Sequence, residues 1–275
     1  IIFYFHMSFS IIKLYTLMGS KKAITLLKKL PSKLNQFYKK NSKIGLVVNN
    51  KSKKNEDFNP VTNLDISFEI LIRSIIKKKF PKDGIIGEEF REKKSINNFT
   101  WSIDPIDGTK AFVSGKNTWS NLIGYSYKKT PIMGLANFPK LKKYYITDKK
   151  KTYLFKNKIK KQIKASNIYD FKNIRIIGSF HNKKNNAMKK KLKSQFGNSI
   201  NFFTFDALSY CLLAEGKIDV VIEDNLKPYD ILPLIPIIKN SGGIITNWKN
   251  KSADKGGNIL ATSNKLLHSH ILKVI

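Results

Sequence analysis

The chain has 275 residues, of which 41% are hydrophobic, and a formal net charge of +32 at pH 7. This length supports one large domain or two subdomains with real cores, and the single cysteine, Cys211, excludes a disulfide framework within the chain. Only three of the 51 basic residues are arginines. Because bidentate binding of phosphates and bases favours arginine over lysine, we interpret the positive charge mainly as a compositional bias toward lysine; a nucleic-acid-binding surface and steering of an anionic substrate are the alternatives.

Residues 1–23 form an N-terminal extension of doubtful status. The segment is apolar, does not begin with Met and lacks a basic n-region. It also falls short of the ~20 clean apolar residues of a membrane span. We expect an over-extended reading frame with the true start at Met7 or Met18; a signal or anchor segment and a genuine helix are the alternatives.

Residues 24–155 predict an α+β subdomain. Apolar spacing predicts a helix over 24–38, a strand and a polar loop over 43–65, and a helix over 65–80 that Asp65 caps and Pro81 ends. "GIIGEEF" and "TWSIDPIDGT" are expected to be strands, and "KAFVSG" a short helix. A strand meander is expected over 119–148.

Residues 156–275 predict an α/β subdomain, in which strands and helices alternate. Strands are expected in 173–180, 219–224, 242–248 and 258–263, and helices in 207–218, 229–242 and 264–275. Cys211 lies in an apolar run, which predicts a buried structural thiol. His181, His268 and His270 have no partners at metal-ligand spacing and are expected to be surface residues.

Acidic residues, which are scarce in this chain, stand where predicted strands end or helices begin: Asp65, Glu88, Glu89, Asp104, Asp107 and Asp230. Hard cations such as Mg²⁺ prefer oxygen ligands. The Asp-Pro-Ile-Asp turn can aim both aspartates into one pocket, and the helix that follows begins with free N–H groups for an anion. Asp107 as a helix cap and Asp104 as a strand end are the alternative, which the joint occurrence of the other acids disfavours.

These motifs carry a resemblance to a known family. "GEE", "DPIDGT" and "PYDILPLIPIIKNSGG", in this order, resemble the inositol monophosphatase family of Mg²⁺-dependent phosphomonoesterases, and the flanking residues are similar to its histidinol-phosphatase branch. The resemblance runs from about residue 24 to the end of the chain. It implies a layered αβαβα sandwich with the active site between the two subdomains.

The resemblance also implies roles for individual residues. One metal ion would be held by Glu88, Asp104 and the Ile106 carbonyl, and a second by Asp104, Asp107 and Asp230. Glu88 and Thr109 would orient the attacking water, with Asp65 hydrogen-bonded to Thr109, and the amides of Gly108 and Thr109 would receive the phosphate. Substrate contacts are expected along the whole Asp104–Thr109 turn except Pro105, and at Asp206, Glu223 and Asp230. Thr204, Phe205 and Ala207 depart from the branch around Asp206.

We therefore expect a cytoplasmic phosphatase with two or three Mg²⁺ per site, replaceable by Mn²⁺, acting on a small phosphorylated metabolite. Histidinol phosphate is the expected substrate, because Glu223 and Asp206 suit its ammonium and imidazole. Inositol 1-phosphate or another small sugar or nucleotide phosphate is the alternative within the family, and a basic nucleic-acid-binding protein with a vestigial site is the alternative of another class. The family resemblance further implies a homodimer; we expect no membrane segment and no specific nucleic acid.

Overall fold

The structure is a computed structural model that describes residues 2–42, 45–51, 60–167, 173–203 and 205–275. The helices in this part of the chain are α1 (Ile2–Asn41), α2 (Asn63–Lys79), α3 (Thr109–Val113), α4 (Asn186–Phe196), α5 (Ala207–Ala214), α6 (Pro228–Ile231), α7 (Leu234–Ser241) and α8 (Lys265–Val274). The strands are β1 (Val48–Asn50), β2 (Pro60–Thr62), β3 (Gly84–Gly87), β4 (Phe99–Asp107), β5 (Ser120–Tyr127), β6 (Thr130–Phe138), β7 (Lys143–Asp148), β8 (Lys151–Lys156), β9 (Ile159–Ile163), β10 (Ile176–Ser179), β11 (Ile200–Phe202), β12 (Val220–Leu226), β13 (Ile244–Asn247) and β14 (Gly257–Thr262).

Two large sheets organise these strands. The first has seven strands in chain order from β3 to β9, antiparallel except for the parallel β3–β4 pair. The second has five strands in the order β11-β10-β12-β14-β13, with β11, β10 and β12 parallel. β1 and β2 form a separate antiparallel pair. The first sheet extends to Ile163, so residue 155 lies within β8, and the division into subdomains stays a prediction.

Helices and sheets alternate in five layers, and the central strands β4, β5 and β12 accordingly bury both of their faces. α1 and α2 pack on one face of the seven-stranded sheet, around Phe68 and Trp101. α5 and α7 fill the space between the two sheets, where Leu122 and Val221 belong to one apolar cluster. α4 and α8 cover the outer face of the five-stranded sheet. This arrangement confirms the mixed α/β fold expected from the sequence.

Several predicted elements differ from those observed. The helix expected over 24–38 is part of α1, which runs from Ile2 to Asn41. The single helix expected over 229–242 is two helices, because Pro233 has no N–H for the ladder and interrupts it between α6 and α7. The Pro233 carbonyl then packs so closely on β6 that Gly134 has no room for a side chain.

Other elements were not predicted at all. β8, β9 and α4 lie in lysine-rich stretches, and α4 buries only Leu192, so their apolar periodicity is weak. In the described ranges, no helix has both the length and the apolar composition needed to cross a bilayer.

Two expectations for single side chains are tested by burial. Cys211 is buried, as expected. The surface position predicted for His268 is wrong, because this residue is only 4% exposed and lies on the buried face of α8. Its Nδ1 is 3.0 Å from the Thr262 hydroxyl and its Nε2 is 2.9 Å from the Thr246 hydroxyl. Burial lowers the pKa of His268 to about 4, so the imidazole is neutral inside the fold.

Candidate active site

The carboxylate loop, residues 104–109, begins with a bulge at the end of β4. Asp104 pairs with Leu122 and Asp107 pairs with Ser120, so three steps along β4 oppose two steps along β5. Residues three apart in a regular strand point to opposite faces, and one extra residue reverses that parity. The bulge therefore turns the side chains of Asp104 and Asp107 toward the same side of the sheet.

A chain of buried amides holds the bulge from behind. The Asn121 Nδ2 donates to the Pro105 carbonyl at 2.6 Å, and the Asn137 Nδ2 donates to the Asn121 Oδ1 at 2.9 Å. The Asn137 Nδ2 also lies 2.9 Å from the Oδ1 of Asn35 in α1. Both Asn121 and Asn137 are fully buried, so their amide N–H groups depend on these hydrogen bonds rather than on water.

Gly108 allows a close approach across the site. It has a φ of +79° and precedes α3, and a Cβ at this position would lie 2.5 Å from the Asp206 Oδ2. Asp206 itself stands directly before α5 and makes no side-chain capping bond to it. Its carboxylate is directed to the carboxylate loop instead.

Asp107 joins the two halves of the molecule. Its Oδ2 accepts from the Ala207 amide at 2.9 Å and lies 3.2 Å from the Ser120 hydroxyl. Burial raises the pKa of Asp107 well above its usual range, and the nearby Asp206 raises it further. The first turn of α5 is thereby attached to a carboxylate of the loop.

Asp65 is buried at the start of α2, although it is not the cap that the sequence predicted. Thr62 is the N-cap, and Asp65 is the third helical residue of a capping box: its Oδ2 accepts from the Thr62 amide at 2.8 Å. The other oxygen, Oδ1, lies 3.5 Å from the Thr109 hydroxyl, which lies 2.9 Å from the Ile106 carbonyl. Burial raises the pKa of Asp65 to about 6, against hydrogen bonds from Thr62 that lower it.

Glu88 and Glu89 follow β3 and face a lysine. The Lys51 Nζ lies 3.1 Å from the Glu88 Oε1 and 2.6 Å from the Glu89 Oε1. The Glu89 amide donates to the Glu69 Oε2 at 2.8 Å, and Glu69 in turn pairs with Arg73 at 2.7 Å. The sequence analysis did not identify Glu69 and Arg73 as supports of the site, because in the sequence they are only charged residues of a predicted helix.

Asp230 reaches the site from α6. Its Oδ2 accepts from the Lys227 amide at 2.7 Å, which holds the carboxylate at the first turn of the helix. Burial, together with the nearby Glu88 and Glu223, raises the pKa of Asp230 to about 7, against the hydrogen bond from the Lys227 amide, which lowers it. These acids from three distant segments therefore act on one another.

Asp104 lies at the centre of these carboxylates. Asp104 is buried, and its Oδ1 has no hydrogen-bond partner among the described residues. Burial raises the pKa of Asp104 well above the usual range, and the nearby Glu88 raises it further. In the described part of the chain, no three Asp, Glu, His or Cys side chains already surround a single point. An unpartnered carboxylate oxygen beside several other acids nonetheless fits a divalent cation, which would supply the missing positive charge.

The rim of the site, comprising Ser179, His181, Asp206 and Glu223, is built mainly by the five-stranded sheet. Ser179 pairs with Glu223 in the parallel β10–β12 register, and His181 follows two residues later. The His181 Nε2 lies 3.2 Å from the Glu223 Oε1. His181 is exposed, as predicted, but it has hydrogen-bond partners in Glu223 and Ser179, which the sequence did not indicate. Its place just past the end of a parallel strand was the signal that could have found it.

Comparison with known proteins agrees with this geometry. The family model described as the inositol monophosphatase family matches residues 21–275. The chain belongs to the inositol monophosphatase family. This is a family of phosphatases known for metal-dependent catalysis, and the family membership confirms the resemblance carried by the three motifs.

Relatives within the family differ in their names. The chain is 36% identical over 202 residues to the chloroplastic bifunctional phosphatase IMPL2 of Arabidopsis thaliana, covering 71% of this chain and 57% of that protein. It is 28% identical over 222 residues to a histidinol-phosphatase of Mycobacterium tuberculosis, covering 78% and 84%. Among solved structures, an inositol monophosphatase of Thermotoga maritima matches with a TM-score of 0.74 at 23% identity, covering 88% of this chain and 92% of that one, which supports the fold.

The site residues expected from the sequence therefore fall into two groups. Glu88, Asp104, Asp107 and Asp230 act electrostatically on one another, and Asp65 lies beside Thr109. Asp206 and Glu223 stand on the opposite side, where both raise the pKa of Asp107. Thr204 lies outside the described residues. The individual roles of these residues in catalysis stay predictions.

Proposed function

We propose that this member of the family is a Mg²⁺-dependent phosphomonoesterase that hydrolyses histidinol phosphate to histidinol and phosphate. The observation that carries the metal dependence is the buried, unpartnered oxygen of Asp104 among the other carboxylates. Glu88, Asp104, Asp107, Asp230 and the Ile106 carbonyl would hold two or three ions, with Mn²⁺ able to replace Mg²⁺. Bound Mg²⁺ lowers the pKa of its water and neutralises charge on the attacking and leaving oxygens.

The residues of the chain then position the reacting groups. The Thr109 hydroxyl donates to the Ile106 carbonyl at 2.9 Å, which leaves its lone pairs to accept a hydrogen bond from the attacking water. Glu88 orients the same water, and Asp65 limits the rotation of Thr109. The amides of Gly108 and Thr109 face the phosphate. Attack by water needs no phosphoenzyme, so no nucleophilic side chain is required.

The choice of substrate rests on the rim. Asp206 and Glu223 are two acids in a chain with only 19, and both act on Asp107. Histidinol phosphate carries an ammonium and an imidazole, whereas inositol phosphate offers only hydroxyls. Charge-assisted hydrogen bonds to these carboxylates would each contribute roughly 1.5–3 kcal/mol. The name of the Mycobacterium tuberculosis relative supports the same substrate.

The test compares kcat/KM for histidinol phosphate and inositol 1-phosphate with saturating Mg²⁺, in the wild type and in Glu223→Gln. We expect the wild type to prefer histidinol phosphate and the variant to lose about 10- to 100-fold on that substrate alone. Glu92→Gln, which changes an exposed acid, is the matched control. A preference for inositol 1-phosphate would replace the substrate and keep the phosphatase. No Mg²⁺-dependent turnover at all would favour the vestigial nucleic-acid-binding protein.

A biosynthetic phosphatase acting on histidinol phosphate would work in histidine synthesis in the cytoplasm. A buried single thiol is compatible with a reducing compartment. The homodimer expected from the sequence stays a prediction, which the sedimentation velocity of the purified chain would test.

A further inference from the structure

His181 is the solvent-facing partner of the buried carboxylate of Glu223 on the rim. Its Nε2 lies 3.2 Å from the Glu223 Oε1 and 3.0 Å from the Ser179 Oγ. The side chain of His181 is 39% exposed, whereas that of Glu223 is 4% exposed. The imidazole therefore covers the carboxylate on this side of the pocket.

The loop that carries His181 is built to hold the ring in this place. Asp224, which is fully buried, accepts from the His181 amide at 2.6 Å and from the Asn182 amide at 3.2 Å. It also accepts from the Asn185 Nδ2 at 2.6 Å. These bonds join the loop after β10 to the strand that bears Glu223. They fix the backbone of the loop and thereby hold the His181 ring next to Glu223.

The charges around the ring favour its protonated form. His181 faces Glu223 and Asp224 on β12 and Asp206 before α5, and its hydrogen bond to Glu223 raises its pKa above the usual 6.5. When Nε2 is protonated, it donates to Glu223. When it is neutral, the Ser179 hydroxyl can donate to it instead. The pocket thus has a partner for each protonation state.

We propose that His181 competes with the cationic part of the substrate for Glu223, and so makes binding of cationic alcohol phosphates pH-dependent. The inference rests on the proposed function, in which Glu223 receives that cationic part. As the substrate's ammonium or imidazolium reaches Glu223, the proton on the His181 Nε2 passes to solvent and the ring turns to Ser179. A substrate without a cation does not compete for Glu223 and is insensitive to this pair.

The kinetic test compares the wild type with His181→Gln, which keeps a polar side chain and removes the titration. At about pH 6, we expect the variant to lower KM for histidinol phosphate about 3- to 10-fold with kcat nearly unchanged, and at about pH 8.5 to change KM less than about 2-fold. The imidazole and phosphate of the substrate titrate equally with both enzymes, so the comparison cancels them. KM for inositol 1-phosphate should not change at either pH.

Two kinetic outcomes would overturn the proposal. If His181→Gln raises KM for histidinol phosphate at both pH values, His181 holds the substrate rather than competing with it. If KM for inositol 1-phosphate shifts by the same factor, His181 acts on the shape of the pocket.

A second measurement separates this inference from the proposed function. The chain has four histidines, and the C2 proton signal of His181 is assigned by its loss in His181→Gln. We expect its pKa to fall in Glu223→Gln, and also when histidinol without phosphate is added to the wild type. A wild type that does not hydrolyse histidinol phosphate contradicts the proposed function, whereas a His181 pKa that neither change lowers contradicts the ion pair.

Discussion

The carboxylate loop and the rim meet at one site, yet they are held by different interactions. The loop is fixed by a bulge, by Gly108 and by the fully buried amides of Asn121 and Asn137. The rim depends on the register of two parallel strands and on a loop whose His181 is partly exposed. The groups proposed to bind metal and phosphate therefore stand on the more firmly held of the two regions, and the groups proposed to meet the leaving alcohol stand on the more exposed one.

The largest effect is expected in the carboxylate loop, for Asp104→Asn. Asp104 is predicted to contact both metal ions, so its loss should cost at least ~3 kcal/mol of transition-state stabilisation, or more than about 100-fold in kcat/KM. The measurement is turnover with saturating Mg²⁺, with Glu92→Gln as the control. Near-normal turnover of Asp104→Asn would contradict the metal assignment.

Asn121→Ala tests whether the loop is held from behind. The change removes the donor to the Pro105 carbonyl and the acceptor for the Asn137 amide, so we expect a loss of about 2–3 kcal/mol in the free energy of unfolding. We also expect weaker Mn²⁺ binding, measured by electron paramagnetic resonance, because the bulge is less fixed. Asn117→Ala, at an exposed position before β5, is the control. Unchanged Mn²⁺ affinity in a destabilised Asn121→Ala would limit the role of the amides to folding.

On the five-stranded side, His268 should make stability fall in acid. Its pKa is about 4 when folded and about 6.5 when unfolded, so the unfolded chain binds the extra proton between these values. The contribution is fully present above about pH 6.5 and falls by about 2 kcal/mol by about pH 5. Urea unfolding of His268→Gln should show a smaller loss over this interval than the wild type, while His270→Gln should not. Equal losses in all three proteins would exclude His268 as the cause.

The smallest effect is expected for binding of nucleic acid by the surface lysines. Random duplex DNA should bind only weakly, and binding should vanish by physiological salt, because the free energy gained by releasing counterions from the DNA falls as the salt concentration rises. A titration of fluorescently labelled duplex against salt measures this. Salt-resistant or sequence-selective binding would instead show that the positive charge has a partner.

Local signals in the sequence were sufficient to predict many of the helices and strands. The apolar spacing of α2 and α8, the continuous apolar run of α5 and the short runs of β3 and β4 each lie within one segment, so these elements can be predicted without any distant contact. The order of the three acidic motifs identified the family for the same reason. The effect of proline was predicted less well: the apolar pattern indicates one continuous helix, which Pro233 divides into α6 and α7.

Only the tertiary structure decided how the site is closed. The bulge between Asp104 and Asp107 depends on the pairing of β4 with β5, and the amide chain joins residues more than 100 positions apart. His181 and Glu223 are 42 residues apart and meet because β10 and β12 lie side by side in one register. Strand register is set by the packing of whole sheets and helices rather than by the residues of one segment. The sequence by itself therefore determined the elements and the acids that the site contains, while long-range packing decided which side chains face each other across it.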